Sequence, residues 1–492
     1  MNPLLTEAVG HHQRNELDAA KVLYRRVLDT DPRHPDALHF LGVIARQQGD
    51  PGTAVDLITQ AIAIRPHHAS QHCNLGAALQ DLGRADDALA NYDHAIRLEP
   101  NYALALSNRG NALRHLGRLD EAIASYERAL ALRANYPEAW CNRAIALNDL
   151  GRFDEALASA ERALATRPNY ADAHVARANA LQGRGSYSDA VDSYDRALAL
   201  KDDGEIHCSR GTALQRLRRF DDALASYTRA IALRPRHPLA HHYRANTLRA
   251  LGRLDDAIAA YRDALALGGD RTQIEFALAA LGEGSAPASS PAAYVTTLFD
   301  QYAGHFDEHL VGQLGYDTPA LIDRAIAGFG MHDAVIVDLG CGTGLCGPVL
   351  RPHARHLTGV DLSPKMLDKA RARALYDDLV CDDITVYLAS LDARVDLIVA
   401  ADVLVYLGDL SGLFSRAAQA LKPGGRFCFS VEAVEGDGFV LTRSNRYAHA
   451  LSYVARVAHS NGLALLESQQ APLRSEGGVE VIGHIVTLAR CA

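Results

Sequence analysis

The sequence predicts two domains of different class: an all-α solenoid of repeated helix hairpins, followed by an α/β domain with a mostly parallel sheet. The first prediction rests on residues 81–102, DLGRADDALANYDHAIRLEPNY, which recur in similar form at 115–136 and again at 149–170. The second rests on the region beyond residue 292, where the recurrence stops and strand-like segments alternate with helix-like ones. A chain of 492 residues is long enough to hold both domains.

Composition and charge exclude several classes of protein. The net charge of −9 argues against general binding of nucleic acid, which requires a basic surface. No stretch of about 18 apolar residues is present, so we expect no membrane span, and the N-terminal residues lack the basic and apolar pattern of a secretory signal. The eight cysteines show no C-x-x-C pair and no zinc spacing. We therefore expect a cytoplasmic protein with reduced thiols and no metal site.

Small residues mark the repeated hairpins at fixed positions, 34 residues apart with one step of 33. They let two helices approach closely, and a single hairpin buries its apolar face only when neighbours stack on it. Glycines suit the turn inside each hairpin, and prolines end the second helix. Two series of alanines show the period, at 54, 88, 122, 156, 190, 223 and 257, and at 61, 95, 129, 163, 197, 230 and 264.

With Pro100, Gly110, Tyr126 and Trp140 in their pattern positions, the repeat resembles the tetratricopeptide repeat. The resemblance predicts about eight units over residues 1–269, followed by a capping helix and linker over 270–291 that is rich in Gly, Ser, Pro and Ala. It also implies that a protein or peptide partner binds the concave face.

Two ladders of polar side chains bear on that partner. The first resembles the asparagine ladder in the repeats of O-GlcNAc transferases, which implies a peptide-binding role for Asn74, Asn108 and Asn142. The second suits an acidic ligand, or alternatively packs on neighbouring helices and pairs with their carboxylates; it comprises Arg109, Arg143, Arg177, Arg210 and Arg244.

The second domain contains a glycine-rich loop. We predict strands over 334–340, 356–362, 379–384, 396–402, 425–432, 463–470 and 481–489, and helices over 344–351, 364–376, 409–421 and 445–461. The loop ends the first strand, where Asp338 is followed by Gly340, Gly342 and Gly344. Asp361 ends the next strand, where a carboxylate is placed to accept the hydroxyls of a ribose. These residues predict a site for an adenosine-type nucleoside at the carboxyl ends of the strands.

The spacing D-x-G-x-G-x-G differs from the G-x-G-x-x-G of dinucleotide sites, so a dehydrogenase is a weaker reading. Together with the acid-ended third strand VCDDI and the turn LKPGG, it resembles the class I S-adenosylmethionine-dependent methyltransferases over residues 292–492. That resemblance implies a Rossmann-like, seven-stranded, mostly parallel sheet with an antiparallel last strand. As a whole, the chain resembles bacterial predicted methyltransferases that carry tetratricopeptide repeats.

The resemblance also implies roles for individual residues toward S-adenosyl-L-methionine. Asp338 would hold the loop and the amino group, and the loop glycines would line the methionine moiety. Asp361 would bind the ribose, and Asp382, with the backbone of Asp383, would bind the adenine. The segment from Ala400 to Val403 would pass beneath the methionine and the sulfonium, and an N-terminal lid would place Tyr302 and Phe306 against the cofactor.

The acceptor side is less specified by the sequence. His449 is a candidate general base because histidine titrates near neutrality, and Tyr406 follows the fourth strand, where it could face the acceptor. Arg446 and Arg474 could hold an anionic acceptor. Three functions remain open: a methyltransferase whose repeats recruit a protein or peptide acceptor, a small-molecule methyltransferase whose repeats mediate assembly, and a scaffold with an inactive or sensing methyltransferase fold.

Overall fold

A computed structural model describes residues 2–304, 306–476 and 478–491. Its contacts divide the chain into two compact units, Met1–Leu251 and Gly252–Ala492. This division falls earlier in the chain than the boundary near residue 269 that the repeat pattern suggests, and the sequence-based boundary remains a proposal. Among the described residues, no helix combines the length and the apolar character needed to cross a membrane.

The first unit is entirely helical. Most of its helices have 13 or 14 residues, and successive helices pack as antiparallel neighbours. The helices are α1 (Pro3–Gln13), α2 (Leu17–Thr30), α3 (Pro35–Gln47), α4 (Pro51–Ile64), α5 (Ala69–Asp81), α6 (Ala85–Leu98), α7 (Ala103–His115), α8 (Leu119–Leu132), α9 (Pro137–Asp149), α10 (Phe153–Thr166), α11 (Ala171–Gly183), α12 (Tyr187–Leu200), α13 (Gly204–Arg216), α14 (Phe220–Leu233) and α15 (Pro238–Ala250). This confirms the predicted solenoid of helix hairpins.

A glycine and a tyrosine explain the close approach of the two helices in a hairpin. A Cβ at Gly110 on α7 would lie 2.5 Å from Cε1 of Tyr126 on α8. The tyrosine ring is fully buried and occupies the space that a side chain would take. The same relation joins Gly76 to Tyr92 and Gly211 to Tyr227, so the repeat period is set by packing.

The ladder arginines join neighbouring hairpins. Arg109 on α7 donates from Nε to Asp93 of the preceding hairpin at 2.6 Å and from Nη1 to Ser125 of its own hairpin at 2.5 Å. Arg143 donates in the same way to Glu127 and Ser159. Of the two readings of this ladder, pairing with adjacent repeats is therefore the one that the structure supports.

The second unit holds the α/β fold and two helices that precede it. Its helices are α16 (Leu254–Ala266), α17 (Arg271–Ala280), α18 (Ala292–Tyr302), α19 (Thr318–Ala327), α20 (Gly347–Leu350), α21 (Pro364–Ala372), α22 (Ile384–Ala389), α23 (Ser411–Ala420) and α24 (Leu451–Ser460). Its strands are β1 (Ala334–Leu339), β2 (Ala354–Asp361), β3 (Asp378–Cys381), β4 (Val395–Ala400), β5 (Leu421–Ala433), β6 (Phe439–Leu441), β7 (Tyr447–His449), β8 (Leu463–Glu476) and β9 (Val479–Arg490).

The sheet has the order β3-β2-β1-β4-β5-β7-β6, with β9 paired to β5 and β8 paired to β9. Strands β1 to β5 pair in parallel, while β9 is antiparallel to both β5 and β8. Alternate residues of β1 enter the cores on the two faces of the sheet, Ile336 on one and Val337 on the other. The predicted fold class is confirmed. From β1 the chain continues to β2 and β3 on one side of the sheet and then returns to β4 on the other side, so the topological switch point lies between β1 and β4.

Two short strands were not predicted. Residues 445–461 were expected to form one helix, but β7 occupies 447–449 and α24 begins only at Leu451. The reason is a turn: Asn445 has a φ of +63° and donates its N–H to Thr442 O, which closes the hairpin between β6 and β7. The asparagine in TRSN was the sequence signal for this turn.

The predicted linker is bound to the α/β fold. Ser290 donates its N–H to Tyr406 O at 2.8 Å, and Gly408 donates to Ala288 O at 2.8 Å. The preceding helix α17 is also docked, because Phe276 packs against Tyr447 with ring centroids 6.4 Å apart. Although its composition is that of a linker, this segment is therefore part of the packed second unit.

Candidate cofactor site

The glycine loop lies at the carboxyl end of β1 and needs its glycines. Gly340, Gly342 and Gly344 have φ values of +61°, +55° and +84°, a region that residues with a side chain rarely adopt. A Cβ at Gly340 would lie 2.4 Å from Cγ2 of Val403, in the loop after β4. A Cβ at Gly344 would lie 3.0 Å from the ring of Tyr376. The backbone of the loop is therefore held between Val403 on one side and Tyr376 on the other.

Asp361 ends β2 beside this loop. Its Oδ2 accepts the N–H of Gly342 at 2.9 Å, and its Oδ1 accepts the N–H of Ser363 at 2.8 Å. Burial raises the pKa of Asp361, while these two backbone donors oppose the rise. Asp361 thus connects the glycine loop to the start of α21, and its remaining lone pairs are the acceptors that a ribose would need.

Asp338 lies beneath the same loop and is almost completely buried, with 1% exposure. The hydroxyl of Tyr376 donates to its Oδ2 at 2.6 Å. Burial raises the pKa of Asp338 to about 7, the Tyr376 hydrogen bond opposes that rise, and Asp361 adds to it. A cationic group at this point would favour the ionised carboxylate.

The two acids after β3 have different local roles. Asp383 is the N-cap of α22, where its Oδ1 accepts the N–H of Thr385 at 2.7 Å and that of Val386 at 3.2 Å. Asp382 accepts the N–H of Asp383 at 2.8 Å and keeps its other oxygen at the edge of the sheet. The structure thus leaves Asp382 as the available carboxylate, while the N–H of Asp383 already has a partner.

The segment before the sheet lies over the glycine loop. Asp300 of α18 accepts the hydroxyl of Ser363 at 2.5 Å, and Asp307 accepts the hydroxyl of Thr343 at 2.5 Å. Asp307 also binds Arg373 at 2.5 Å, and Arg373 in turn donates to Thr343 O. These bonds attach a lid to the loop and to α21, as expected for the N-terminal segment.

The lid carries both of the predicted aromatic residues. Cε1 of Phe306 lies 4.0 Å from where a Cβ of Gly342 would be. Tyr302 packs edge-on against Phe306 at 5.3 Å, and Phe299 packs against both Phe306 and Tyr406. The lid, the glycine loop and the loop after β4 therefore meet around one aromatic cluster. Ala400, also predicted at this site, ends β4 with its side chain fully buried in the core.

His449 is not placed as a general base. Its side chain is fully buried on β7, with Nε2 3.1 Å from Gly408 O, and it stacks on Tyr453. Burial lowers its pKa to about 4. A general base must reach the proton that it removes, so the structure contradicts the prediction that His449 is the general base.

Arg446 and Arg474 are not free to hold an anion. Arg474 has only 1% of its side chain exposed and binds Asp402, Glu432 and Glu476. Arg446 binds Glu476 and lies 3.7 Å from Glu432. Both guanidinium groups are thus already neutralised by carboxylates, which contradicts the expected anionic acceptor site. Tyr406 lies beside this network; burial raises the pKa of its phenol and Arg446 opposes the rise.

Sequence reasoning missed Tyr376, Asp300 and Asp307. Each acts through a contact between residues far apart in the chain, such as the 2.6 Å bond from Tyr376 to Asp338. Asp402 lies in the predicted segment Ala400 to Val403, but its ion pair with Arg474 was not predicted.

In the first unit, the asparagine ladder is half-buried on successive first helices of the hairpins. Asn74 Nδ2 lies 2.8 Å from His39 Nε2, and Asn108 donates weakly to Cys73 Sγ at 3.8 Å. Asn142 is half-buried at the equivalent position on α9. The peptide-binding role of these three residues stays a prediction. In the parts of the chain that the structure describes, no group of three His, Cys, Asp or Glu side chains is placed to hold a metal.

Comparison with protein families identifies both parts of the chain. The family model described as "Methyltransferase domain" matches residues 337–429. Models of the tetratricopeptide repeat match residues 91–124, 110–150, 137–170 and 208–271, and the model for subunit 3 of the anaphase-promoting complex matches 13–95.

Curated methyltransferases are also similar to part of this chain. The ubiquinone biosynthesis O-methyltransferase of Coxiella burnetii is 33% identical over 113 residues, which are 22% of this chain and 47% of that protein. The enzyme of the same name from Xylella fastidiosa is 30% identical over 117 residues, 23% of this chain and 48% of that protein. This chain thus spans about half the length of these relatives.

Among solved structures, a tetratricopeptide repeat protein from Parabacteroides merdae is 18% identical, with a TM-score of 0.41, over 49% of this chain and 96% of that one. A thermophilic repeat protein of Thermus thermophilus is 26% identical, with a TM-score of 0.33, over 37% of this chain and 98% of that one.

Proposed function

We propose that this chain transfers methyl groups from S-adenosylmethionine to an acceptor that its repeats recruit. The proposal starts from the methyltransferase domain that follows the tetratricopeptide repeats. The observation that carries the proposal is Asp361, whose two oxygens accept backbone N–H groups from the glycine loop and from the start of α21. This puts a carboxylate with spare acceptor capacity beside a loop in which glycine at 340, 342 and 344 leaves the backbone without side chains at alternate positions.

The residues around the loop fit the rest of such a cofactor. Asp338 would hold a cationic amino group, Asp382 would accept the adenine amino group, and Phe306 would cover the loop at Gly342. When bound, the cofactor supplies an activated methyl group, so the protein contributes mainly orientation and the exclusion of water. The lid, attached through Asp300 and Asp307, would provide that exclusion.

Calorimetric titration of the purified chain tests the cofactor assignment. We expect S-adenosylmethionine and S-adenosylhomocysteine to bind at one site and NAD to give no heat. Transfer of a labelled methyl group, followed separately in the protein and small-molecule fractions of a cell extract, would then identify the acceptor class. Absence of binding by both adenosyl compounds would reject the enzyme and favour the scaffold.

The recruiting role rests on the asparagine ladder and is tested separately. Replacing Asn74, Asn108 and Asn142 together by alanine should reduce methylation of a protein acceptor without changing the affinity for S-adenosylhomocysteine. Arg128, exposed on the second helix of a hairpin, provides a control substitution to alanine. If the label appears only in small molecules and the triple variant keeps full activity, the repeats serve assembly instead.

A further inference from the structure

Asp402 lies two residues after the end of β4, in the loop whose Val403 packs against the glycine loop. Its φ is +56°, a left-handed backbone that a residue with a side chain seldom adopts. The neighbouring Val403 supplies the methyl group that lies 2.4 Å from where a Cβ of Gly340 would be. Asp402 therefore begins the segment that contacts the candidate cofactor loop.

The Asp402 side chain is held in place from two directions. Ser430, fully buried on β5, accepts the N–H of Asp402 at 2.7 Å and donates its hydroxyl to Oδ1 at 3.2 Å. Arg474 donates from Nη1 to Oδ2 at 3.2 Å. The side chain of Asp402 nevertheless remains 18% exposed, compared with 1% for Arg474. Asp402 is thus a fixed carboxylate that stays partly accessible to solvent.

The charge of Asp402 affects the pKa of ionisable groups in several segments around the glycine loop. Its charge contributes to raising the pKa of Cys346 at the end of the glycine loop, after burial as the main cause. It contributes likewise at Tyr316, which precedes α19, and at Tyr406. The negative charge of Asp402 therefore acts on groups in the glycine loop, before α19 and in the loop after β4.

The net charge of the cluster that contains Arg446, Arg474 and their carboxylate partners determines which kind of acceptor it would attract. Arg446 and Arg474 face three carboxylates, those of Asp402, Glu432 and Glu476. One negative charge is left over. Arg474 contacts all three carboxylates and is 1% exposed, while Arg446 is 24% exposed and is paired with Glu476 and Glu432. An anionic acceptor would meet repulsion here, while a group that donates a hydrogen bond or carries a positive charge would be stabilised.

We infer that Asp402 is a specificity-determining residue of the proposed methyl-transfer site, where it selects an uncharged or cationic acceptor with an N–H or O–H group over an anionic one. Arg474 and Ser430 act as positioning residues for it. This inference rests on the proposed function, because it assumes that the adenosyl cofactor binds at the glycine loop.

Sinefungin tests this without knowledge of the acceptor. It resembles S-adenosylmethionine, but an amine-bearing carbon replaces the methylated sulfonium, so it places a cation where the methyl group would face the acceptor. S-Adenosylhomocysteine lacks both groups. We expect the full-length chain to bind sinefungin about tenfold or more tightly than S-adenosylhomocysteine, the size of one hydrogen bond to a charged group.

In Asp402→Asn the affinity ratio of the two ligands should fall to about one. Asp368→Asn, an equivalent change at an exposed position on α21 that pairs only with Arg371, should keep the wild-type ratio. Asp402→Ser removes the charge with a smaller side chain and serves as the second variant if the amide prevents folding. Arg474→Lys keeps the charge but cannot bind Asp402, Glu432 and Glu476 from three separate nitrogen atoms, so its ratio should be intermediate.

The outcomes separate the two proposals. Binding of S-adenosylhomocysteine without any preference for sinefungin, or an undiminished preference in the folded Asp402 variants, would overturn this inference and leave the proposed function intact. Failure of the wild-type chain to bind S-adenosylhomocysteine would overturn the proposed function, and the inference with it.

Discussion

The hydroxyl of Tyr376 donates a 2.6 Å hydrogen bond to Oδ2 of Asp338, beneath the glycine loop. The acid is nearly fully buried, and the tyrosine ring also fills the space beside Gly344. Tyr376 therefore contacts both the glycine loop and the buried acid beneath it, whose pKa is raised mainly by burial. This relationship leads to the first prediction, which concerns pH.

The affinity for S-adenosylmethionine should rise as the pH increases through about 7, because burial raises the pKa of Asp338 from 3.8 to about 7 and a cationic ligand favours the ionised form. Calorimetry below that pH, in two buffers of different ionisation enthalpy, should show a proton released on binding. Tyr376 and Asp361 also face this acid, so Asp338→Asn is the control and should abolish the proton release. Without the ligand, this group binds more protons in the folded state, so its contribution to stability falls as the pH rises from about 4 to about 7. An affinity independent of pH would contradict the assignment of Asp338.

Asp361→Ala should reduce the affinity for S-adenosylhomocysteine by about 100-fold or more, because it removes a carboxylate acceptor for two ribose hydroxyls. It also removes the partner of the Gly342 N–H, so the loop loses one of its supports. Titration calorimetry measures the effect, and Asp368→Ala on the exposed face of α21 provides the control. Retained binding would remove Asp361 from the ribose site.

Asp382→Ala and Asp383→Ala should affect different properties, the first cofactor affinity and the second stability. Asp383 caps α22 through Thr385 and Val386, so its replacement should lower the free energy of unfolding by about 1 kcal/mol with little change in affinity. Asp382→Ala should lower the affinity for S-adenosylhomocysteine about tenfold, as expected for loss of one hydrogen bond to a charged group, with little change in stability. Thermal unfolding and calorimetry on both variants distinguish the roles, and a reversed pattern would exchange the two assignments.

Asp307→Ala should increase the dissociation rate of S-adenosylhomocysteine several-fold. Asp307 connects the lid to Thr343 and Arg373, so its loss should allow the lid to open more often. Stopped-flow displacement measures the rate, with Asp317→Ala, which pairs with exposed Arg324, as the control. An unchanged dissociation rate would show that these bonds do not limit release.

A fragment of residues 270–492 should be soluble and bind S-adenosylhomocysteine like the full chain, whereas 292–492 should be less stable. The shorter fragment lacks Phe276, which is 2% exposed and packs on Tyr294 and Tyr447. Removing such a ring costs about 3 kcal/mol or more. Denaturant unfolding of the two fragments measures the difference, and equal stability would place the domain boundary after the linker.

The sequence by itself determined the repeats, the seven longer strands of the sheet, and the glycine loop with Asp361. These features depend on periodicity and on backbone conformations that few residue types allow, and both are visible in short stretches of chain. The hairpin of β6 and β7 was missed because its three-residue strands are too short to show a period.

Only the tertiary structure decided the acceptor side of the site. His449 and Arg474 are residue types suited to acid–base chemistry and anion binding, but burial lowers the pKa of His449, and carboxylates from β5, β8 and the loop after β4 neutralise Arg474. Burial and charge pairing depend on which distant segments meet, and residue type does not reveal them. For the same reason the contacts that fix Asp402, from Ser430 on β5 and Arg474 on β8, are visible only in the folded protein.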